Sequence, residues 1–171
     1  NTNEILPNVN CNDSIRKFHD IKVNCICANP PFSVTIPYNA IQKNIKKEIL
    51  DDYIPIEVKG KNSEMLFLQM MIDCLNVNGR CATVLLNGAK IFGVGSNNEV
   101  VREYLLRCCE VKEIIICPPG SFTSTSSKTC IIYFIKKQER KDVLDITKKG
   151  NKTTYEFKGD YSTKSIKYYE F

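Results

Sequence analysis

The chain has 171 residues, 43% hydrophobic and 25% charged, which is ordinary for one soluble globular domain with a sizeable core. No apolar run approaches the ~20 residues that a membrane-spanning helix needs, and the start, Asn1-Thr2-Asn3-Glu4, shows neither an initiator Met nor a signal-peptide pattern. The expected setting is therefore cytoplasmic, and the chain reads as a processed piece or a fragment. The formal net charge of +5 is uneven, since residues 1–135 hold 14 Lys/Arg against 13 Asp/Glu and residues 136–171 hold 10 against 6. A basic tail suits contact with phosphates through counterion release, and a solvated Lys-rich end is the plainer and favoured account.

Ile21 to Ala28 is a β-favouring run that predicts a buried strand. Asn29-Pro30-Pro31 ends it, because proline cannot donate to a ladder and restricts the residue before it. Residues 33–61 form a long polar connection in which Ile41, Ile45 and Ile49 recur at every fourth position, the spacing of a short helix. From Ser63, the positions of Met65, Leu68, Ile72 and Leu75 predict an amphipathic helix, with Asn78-Gly79 as its C-terminal stop. Cys81 to Leu86 predicts a second strand and Asn87 to Gly95 a loop. Ser96 and Glu99 have the spacing of a capping box for a helix with the stripe Val101, Tyr104, Leu105 and Cys108.

Lys112 to Cys117 predicts a third strand, broken by Pro118-Pro119-Gly120, and Thr129 to Ile135 a fourth. The stretch between these two is short and has no helical pattern, so a parallel crossover does not fit and the fourth strand is expected to be antiparallel. Further on, Lys149-Gly150-Asn151 predicts the turn of a hairpin between Val143–Ile146 and Thr153–Phe157. The alternation of strand and helix implies an α/β fold, a mostly parallel sheet with helices on both faces.

Nine cysteines and one histidine, His19, contain no C-x-x-C pair and no regular ligand spacing. No metal is expected. Cys25, Cys27, Cys81, Cys117 and Cys130 sit in or beside strand-like runs, where thiols act as small hydrophobes.

In open α/β sheets ligands bind at the carboxyl ends of strands, and Asn29 to Phe32 lies at such an end. The residue types suit a planar exocyclic amine. Such an amine is a poor nucleophile because its lone pair is delocalised into the ring. Two acceptors aimed at it, the Asn29 side-chain oxygen and the Pro30 carbonyl, localise that pair. Pro30 and Pro31 stiffen the loop, and Phe32 offers a face on which an extruded base stacks, a contact of about 1–3 kcal/mol. The plainer alternative is a strand-ending turn.

From roughly residue 10 to 137 the chain resembles the DNA adenine-N6 methyltransferases, especially the modification subunits of type I restriction systems and their single-chain relatives. The resemblance rests on an ordered set of segments: Cys27-Ala28-Asn29-Pro30-Pro31-Phe32-Ser33, Ser63-Glu64-Met65-Leu66-Phe67-Leu68-Gln69, Gly79 to Gly88, Val101 to Leu106, Pro118 to Phe122 and Lys128 to Phe134. It implies a Rossmann-like methyltransferase fold and methyl transfer from S-adenosylmethionine to N6 of adenine in DNA. Asn29, Pro30, Pro31 and Phe32 would be catalytic, Asp13 and Asn29 would meet the cofactor, and Phe32, Phe122 and Lys128 the substrate. Arg102 and Lys128 are either DNA-facing or simply solvated.

The implied partners are DNA, a specificity subunit or target-recognition domain, and a restriction subunit, with no membrane. Residues 1–137 would be the C-terminal part of the catalytic domain and 138–171 a basic, β-rich tail with a hairpin leading toward a DNA-recognition region. Two departures stand out. Leu86 replaces a proline common in the family. No glycine precedes Asn29, although the family's Gly-rich cofactor loop belongs upstream of it, and Gly93-Val94-Gly95 reads as a turn. A longer chain or a partner is expected to supply that loop, the 21–28 strand to expose an edge, and residues 1–171 alone to bind S-adenosylmethionine weakly or not at all. Two other functions stay open: methylation of another amine (protein glutamine or RNA guanine), and a non-catalytic remnant that contacts DNA or a subunit.

Overall fold

A computed structural model describes residues 9, 11–60, 62–94, 97–122 and 126–171. Its elements are β1 (Val23–Ala28), α1 (Tyr38–Asn44), α2 (Lys47–Tyr53), α3 (Ser63–Cys74), β2 (Leu75–Leu86), α4 (Ala89–Phe92) and α5 (Asn97–Cys108), then β3 (Cys109–Ile116), β4 (Thr129–Lys136), α6 (Arg140–Val143), β5 (Leu144–Lys149), β6 (Lys152–Phe157) and β7 (Lys167–Glu170). Five strands form one sheet in the order β1-β2-β4-β3-β7, and β5 and β6 form a separate hairpin. β1 runs parallel to β2 and β7 parallel to β3, while β4 is antiparallel to both of its neighbours. The sheet is thus mostly parallel with one reversed strand, as the short connection before β4 requires.

Hydrophobic burial explains the main face. Cys81 and Leu85 of β2, Cys130, Ile132 and Phe134 of β4, and Val111 and Ile114 of β3 are buried, together with Met65, Leu68, Met71 and Ile72 of α3 and Val101, Tyr104, Leu105 and Cys108 of α5. The opposite face is different. Cys25 and Cys27 are exposed, and Ala82, Val84, Ile131 and Tyr133 are only half-buried. Both long crossovers advance across the sheet in the same direction. The right-handed rule then places α3 and α5 on one side, so among the described residues the long helices do not cover both faces.

Several boundaries differ from the sequence expectation. The first strand is Val23–Ala28 at the sheet edge, with β2 as its partner, and this leaves Cys25 and Cys27 exposed instead of buried. The expected single helix after residue 33 is two short ones, which bury Ile41, Ile45 and Leu50. α3 ends at Cys74, and Leu75 is extended and fully buried. Asn78-Gly79 is an irregularity in the start of β2, with Asn78 at φ 68°. A Cβ on Gly79 would lie 2.8 Å from the Asn76 carbonyl oxygen, so the glycine serves close backbone approach and not a helix stop. Gly95 and Ser96 of the expected turn and capping box lie outside the described residues.

The tail holds elements of two kinds. β5 and β6 pair from Leu144–Phe157 to Lys149–Lys152, with Gly150 at φ 58° in the turn. β7, which no periodicity announced, joins the edge of the main sheet beside β3.

Candidate functional site

β1, β2 and β3 point the same way and β4 is reversed. The connections after Ala28, after Leu86 and between Ile116 and Thr129 therefore leave the sheet at one end, where open α/β sheets bind ligands. Across this end the Asn87 N–H donates to the Lys128 carbonyl at 2.9 Å and the Cys117 N–H to the Thr129 carbonyl at 2.9 Å.

In the first connection Asn29 is exposed, Pro30 buried, Pro31 exposed and Phe32 half-buried. The loop is fixed from below by two buried polar side chains at the start of α3, Ser63 and Glu64, 0% and 1% exposed. The Ser63 hydroxyl donates to the Pro31 carbonyl at 3.1 Å and accepts the Val34 N–H at 3.1 Å, while a Glu64 carboxylate oxygen accepts the Ser33 N–H at 2.9 Å. Ser33 lies between these contacts at φ 55°. A left-handed non-glycine residue costs about 1–2 kcal/mol, so the hydrogen bonds from α3 hold a conformation that the loop would not choose alone. α3 is itself seated by Gln69, whose amide bonds both the N–H (2.7 Å) and the carbonyl (3.1 Å) of Ile56.

The Phe32 and Phe122 rings meet edge to face, 6.4 Å between centroids at 84°. Phe122 belongs to the third connection, where Gly120 sits at φ 82°. Lys128, at the end of that connection, is exposed, with its ammonium 3.5 Å from Glu170 of β7.

On the other side of Asn29 an open cleft of about 550 Å³ runs along β1. Its walls include Asn12, Ser14, His19, Asn29, Phe67 and Met70. The residue-12 turn and the Asn29 loop, far apart in sequence, therefore face one space. Asp13 shapes that turn. One carboxylate oxygen accepts the N–H groups of Ile15 (3.2 Å) and Arg16 (2.9 Å), and the other pairs with the Arg16 guanidinium at 3.3 Å. Tyr53 closes the turn from α2 by donating to the Ser14 carbonyl. The His19 Nε2 atom is buried without a hydrogen-bond partner.

Arg102 is half-buried and donates to the Gly93 carbonyl at 2.7 Å, tying down the connection after β2. Ser63 and Glu64 as loop supports, His19, and Tyr53 were not singled out from sequence. A serine and a glutamate at a helix start usually read as capping groups, and only the fold shows that these two side chains bond the Pro31–Val34 backbone.

All nine cysteines are free. Burial pushes the Cys81 and Cys130 thiols up to about 12, so they stay protonated and serve as packing groups. Among the described residues no group of three or more His, Cys, Asp or Glu is placed to hold a metal ion.

A mixed sheet whose first strand ends in an Asn-Pro-Pro-Phe loop, beside a cleft and a second aromatic ring, defines an α/β domain with the architecture of S-adenosylmethionine-dependent methyltransferases. The chain belongs to the N-6 DNA Methylase family, whose model matches residues 4–168. It is 34% identical over 125 residues to the methylase subunit of the type I restriction enzyme EcoEI of Escherichia coli, covering 72% of this chain and 23% of that protein. Identity to the EcoKI methylase subunit of Escherichia coli K12 is 26% over 115 residues, covering 67% of this chain and 19% of that protein. The fold of a modification subunit of a putative type I restriction enzyme from Vibrio vulnificus superposes with a TM-score of 0.59 at 23% identity, over 75% of this chain and 27% of that one. The chain thus spans about a quarter or less of the length of the relatives it matches.

Proposed function

We propose that this chain forms the amine-binding part of a DNA methyltransferase that transfers a methyl group from S-adenosylmethionine to N6 of adenine, in the modification subunit of a type I restriction-modification system. The loop at the end of β1 carries this reading. Asn29 stands exposed directly beyond the strand, Pro30 is buried beneath it, and Ser63 and Glu64 fix the backbone that follows.

In this reading the Asn29 side-chain oxygen and the Pro30 carbonyl accept the two amine hydrogens and draw the lone pair out of the ring. They are in place before the base arrives, so little reorganisation remains for the reaction step. An exposed loop reaches the amine only if the base leaves the duplex stack, at a cost of a few kcal/mol. Stacking on Phe32, with Phe122 at its edge, offsets part of that cost. The cleft combines polar edges, Asn12 and Ser14, with the apolar floor of Phe67 and Met70, and this fits a nucleoside joined to an aliphatic chain. When bound there, S-adenosylmethionine would supply the methyl group. Asp13 acts by holding the turn that presents Asn12 and Ser14, and Asn29 borders both spaces. Lys128 supplies a cation for a phosphate at the mouth of the site.

The partners in this reading are DNA, a specificity subunit or target-recognition domain, and a restriction subunit, and the setting is the cytoplasm. No described helix is long and apolar enough to cross a membrane. The test is Asn29→Ala in the full-length protein that contains this chain. Methyl incorporation into adenine-containing duplex is expected to fall about 10²–10³-fold, the loss that follows removal of one preorganised polar group, with S-adenosylmethionine affinity retained. A variant that keeps its rate, or a parent protein that methylates glutamine or guanine in place of adenine, would overturn the proposal.

A further inference from the structure

The β5–β6 hairpin sorts its charges by position. At its base Asp145 stands opposite Glu156, and Lys158 answers with an ammonium 2.8 Å from Asp145. At its tip Lys149 stands directly opposite Lys152, with Lys148 beside them, and all three are exposed. Like charges in a cross-strand pair are destabilising. Among the described residues no carboxylate pairs with any of the three.

The tip is not a free tail. Ile146, Tyr155 and Phe157 pack on the core, and the Tyr155 hydroxyl accepts the Glu57 N–H at 3.0 Å. Lys148 lines a cavity with Gln42, Ile45, Lys47 and Leu50, so this end of the hairpin borders the α1–α2 corner. That corner adds Lys43, Lys46 and Lys47, all exposed and likewise without an ion pair among the described residues. Glu48, on the same corner, pairs with none of them. Two segments about a hundred residues apart in sequence thus place six exposed lysines around one corner, a ridge on which Lys47 and Lys148 line the same cavity and Lys149 and Lys152 project from the other face of the hairpin.

We infer that this ridge is a phosphate-backbone contact for duplex DNA beside the target base, an inference that rests on the proposed function for its ligand. Composition favours a polyanion over a protein surface. Protein interfaces deplete lysine and centre on aromatic or aliphatic anchors, and this ridge carries lysine ammonium groups and no exposed anchor. Distance also fits. Between Phe32 and Lys43 lie an extended segment to Tyr38 and most of a seven-residue helix, which bounds their separation at about 30 Å. That is within about nine base pairs at 3.4 Å per step.

The test uses the full-length protein and a duplex of unmodified sequence. Lys47, Lys148, Lys149 and Lys152 are changed together to Gln, and the DNA association constant is followed from 50 to 200 mM KCl by anisotropy, conditions in which phosphate contacts dominate. The slope of log K against log salt is expected to shrink by roughly 2–4, since each lost phosphate contact removes about 0.9. Lys22→Gln and Lys158→Gln, whose ammonium groups already face Asp73 and Asp145, are expected to leave the slope in place. An unchanged slope in the fourfold variant overturns the inference. So does an unchanged slope accompanied by loss of subunit assembly, which would assign the ridge to an acidic protein. A protein that shows the lysine-dependent slope but transfers no methyl group would support the ridge and overturn the methyltransferase reading.

Discussion

Two loops at the same end of the sheet are built from similar parts and are treated differently by the fold. Asn29-Pro30-Pro31-Phe32 follows β1, and Pro118-Pro119-Gly120-Ser121-Phe122 follows β3. Each has a proline pair and ends in a phenylalanine, and each is associated with a left-handed residue, Ser33 just after the first and Gly120 within the second. The first is clamped by Ser63 and Glu64. The second is held by its own turn, through the Ser121 N–H on the Pro118 carbonyl at 3.3 Å, and Pro118 to Ser121 are exposed. A clamped loop can keep serine at positive φ because outside hydrogen bonds compensate the strain. An unclamped loop needs glycine there, which adopts that conformation at little cost. In the proposed function the clamped loop therefore suits placement of acceptors, and the unclamped one suits an aromatic wall that adjusts to a ligand.

Within this contrast the larger effect comes from removing the clamp. Glu64→Ala leaves the Ser33 N–H without its partner, at about 1–3 kcal/mol, and the melting temperature should fall by several degrees, at roughly 2–4 °C per kcal/mol. The turnover number should fall about tenfold or more, because acceptors misplaced by an ångström lose most of their effect. Glu64→Gln keeps the acceptor oxygen and should restore most of both. If Glu64→Ala and Glu64→Gln behave alike, the hydrogen bond to Ser33 is not what separates the two loops. A smaller and different effect belongs to the unclamped wall. Phe122→Ala should weaken binding of a duplex with an extruded base by about tenfold, within the 1–3 kcal/mol of a stacking contact. Stability should change little, since Phe122 is only half-buried. A fall in turnover with unchanged DNA affinity would place Phe122 in the rigid machinery and erase the contrast.

The unequal treatment of the loops was half legible in the sequence. The turn at Asn29 to Phe32, directly beyond β1, was readable because proline pairs and strand ends are local signals. The reversed β4 was readable because the segment before it is too short for a crossover. The clamp was not, since Ser63 and Glu64 act on residues about thirty positions upstream and their orientation depends on how α3 crosses β1. The early end of α3 was hidden for a related reason. Leu75 keeps the helical spacing of the buried stripe and is fully buried, but as the first strand residue, and the Asn78-Gly79 pair that signals a helix stop serves a bulge. β7 was invisible because its exposed Lys167–Glu170 has no alternation to read, and pairing with β3 alone makes it a strand.

The mildest test exchanges the residue type at the left-handed positions. A Cβ at Gly120 meets nothing within 4 Å, so Gly120→Ala introduces no clash and isolates the backbone term. At φ 82° alanine should cost about 1–2 kcal/mol. The cost can be shed by local rearrangement, because among the described residues no helix side chain bonds Pro118 to Phe122. The expected result is a melting temperature lowered by at most a few degrees, with duplex affinity reduced to a smaller extent than in Phe122→Ala. Ser33→Ala changes neither the backbone preference nor the N–H that Glu64 accepts, so its effect reads the hydroxyl alone and should be smaller than that of Glu64→Ala. If Ser33→Ala costs as much as Glu64→Ala, then the serine hydroxyl and not the clamp from α3 stabilises the first loop. The two loops would then differ in their side chains and not in their support.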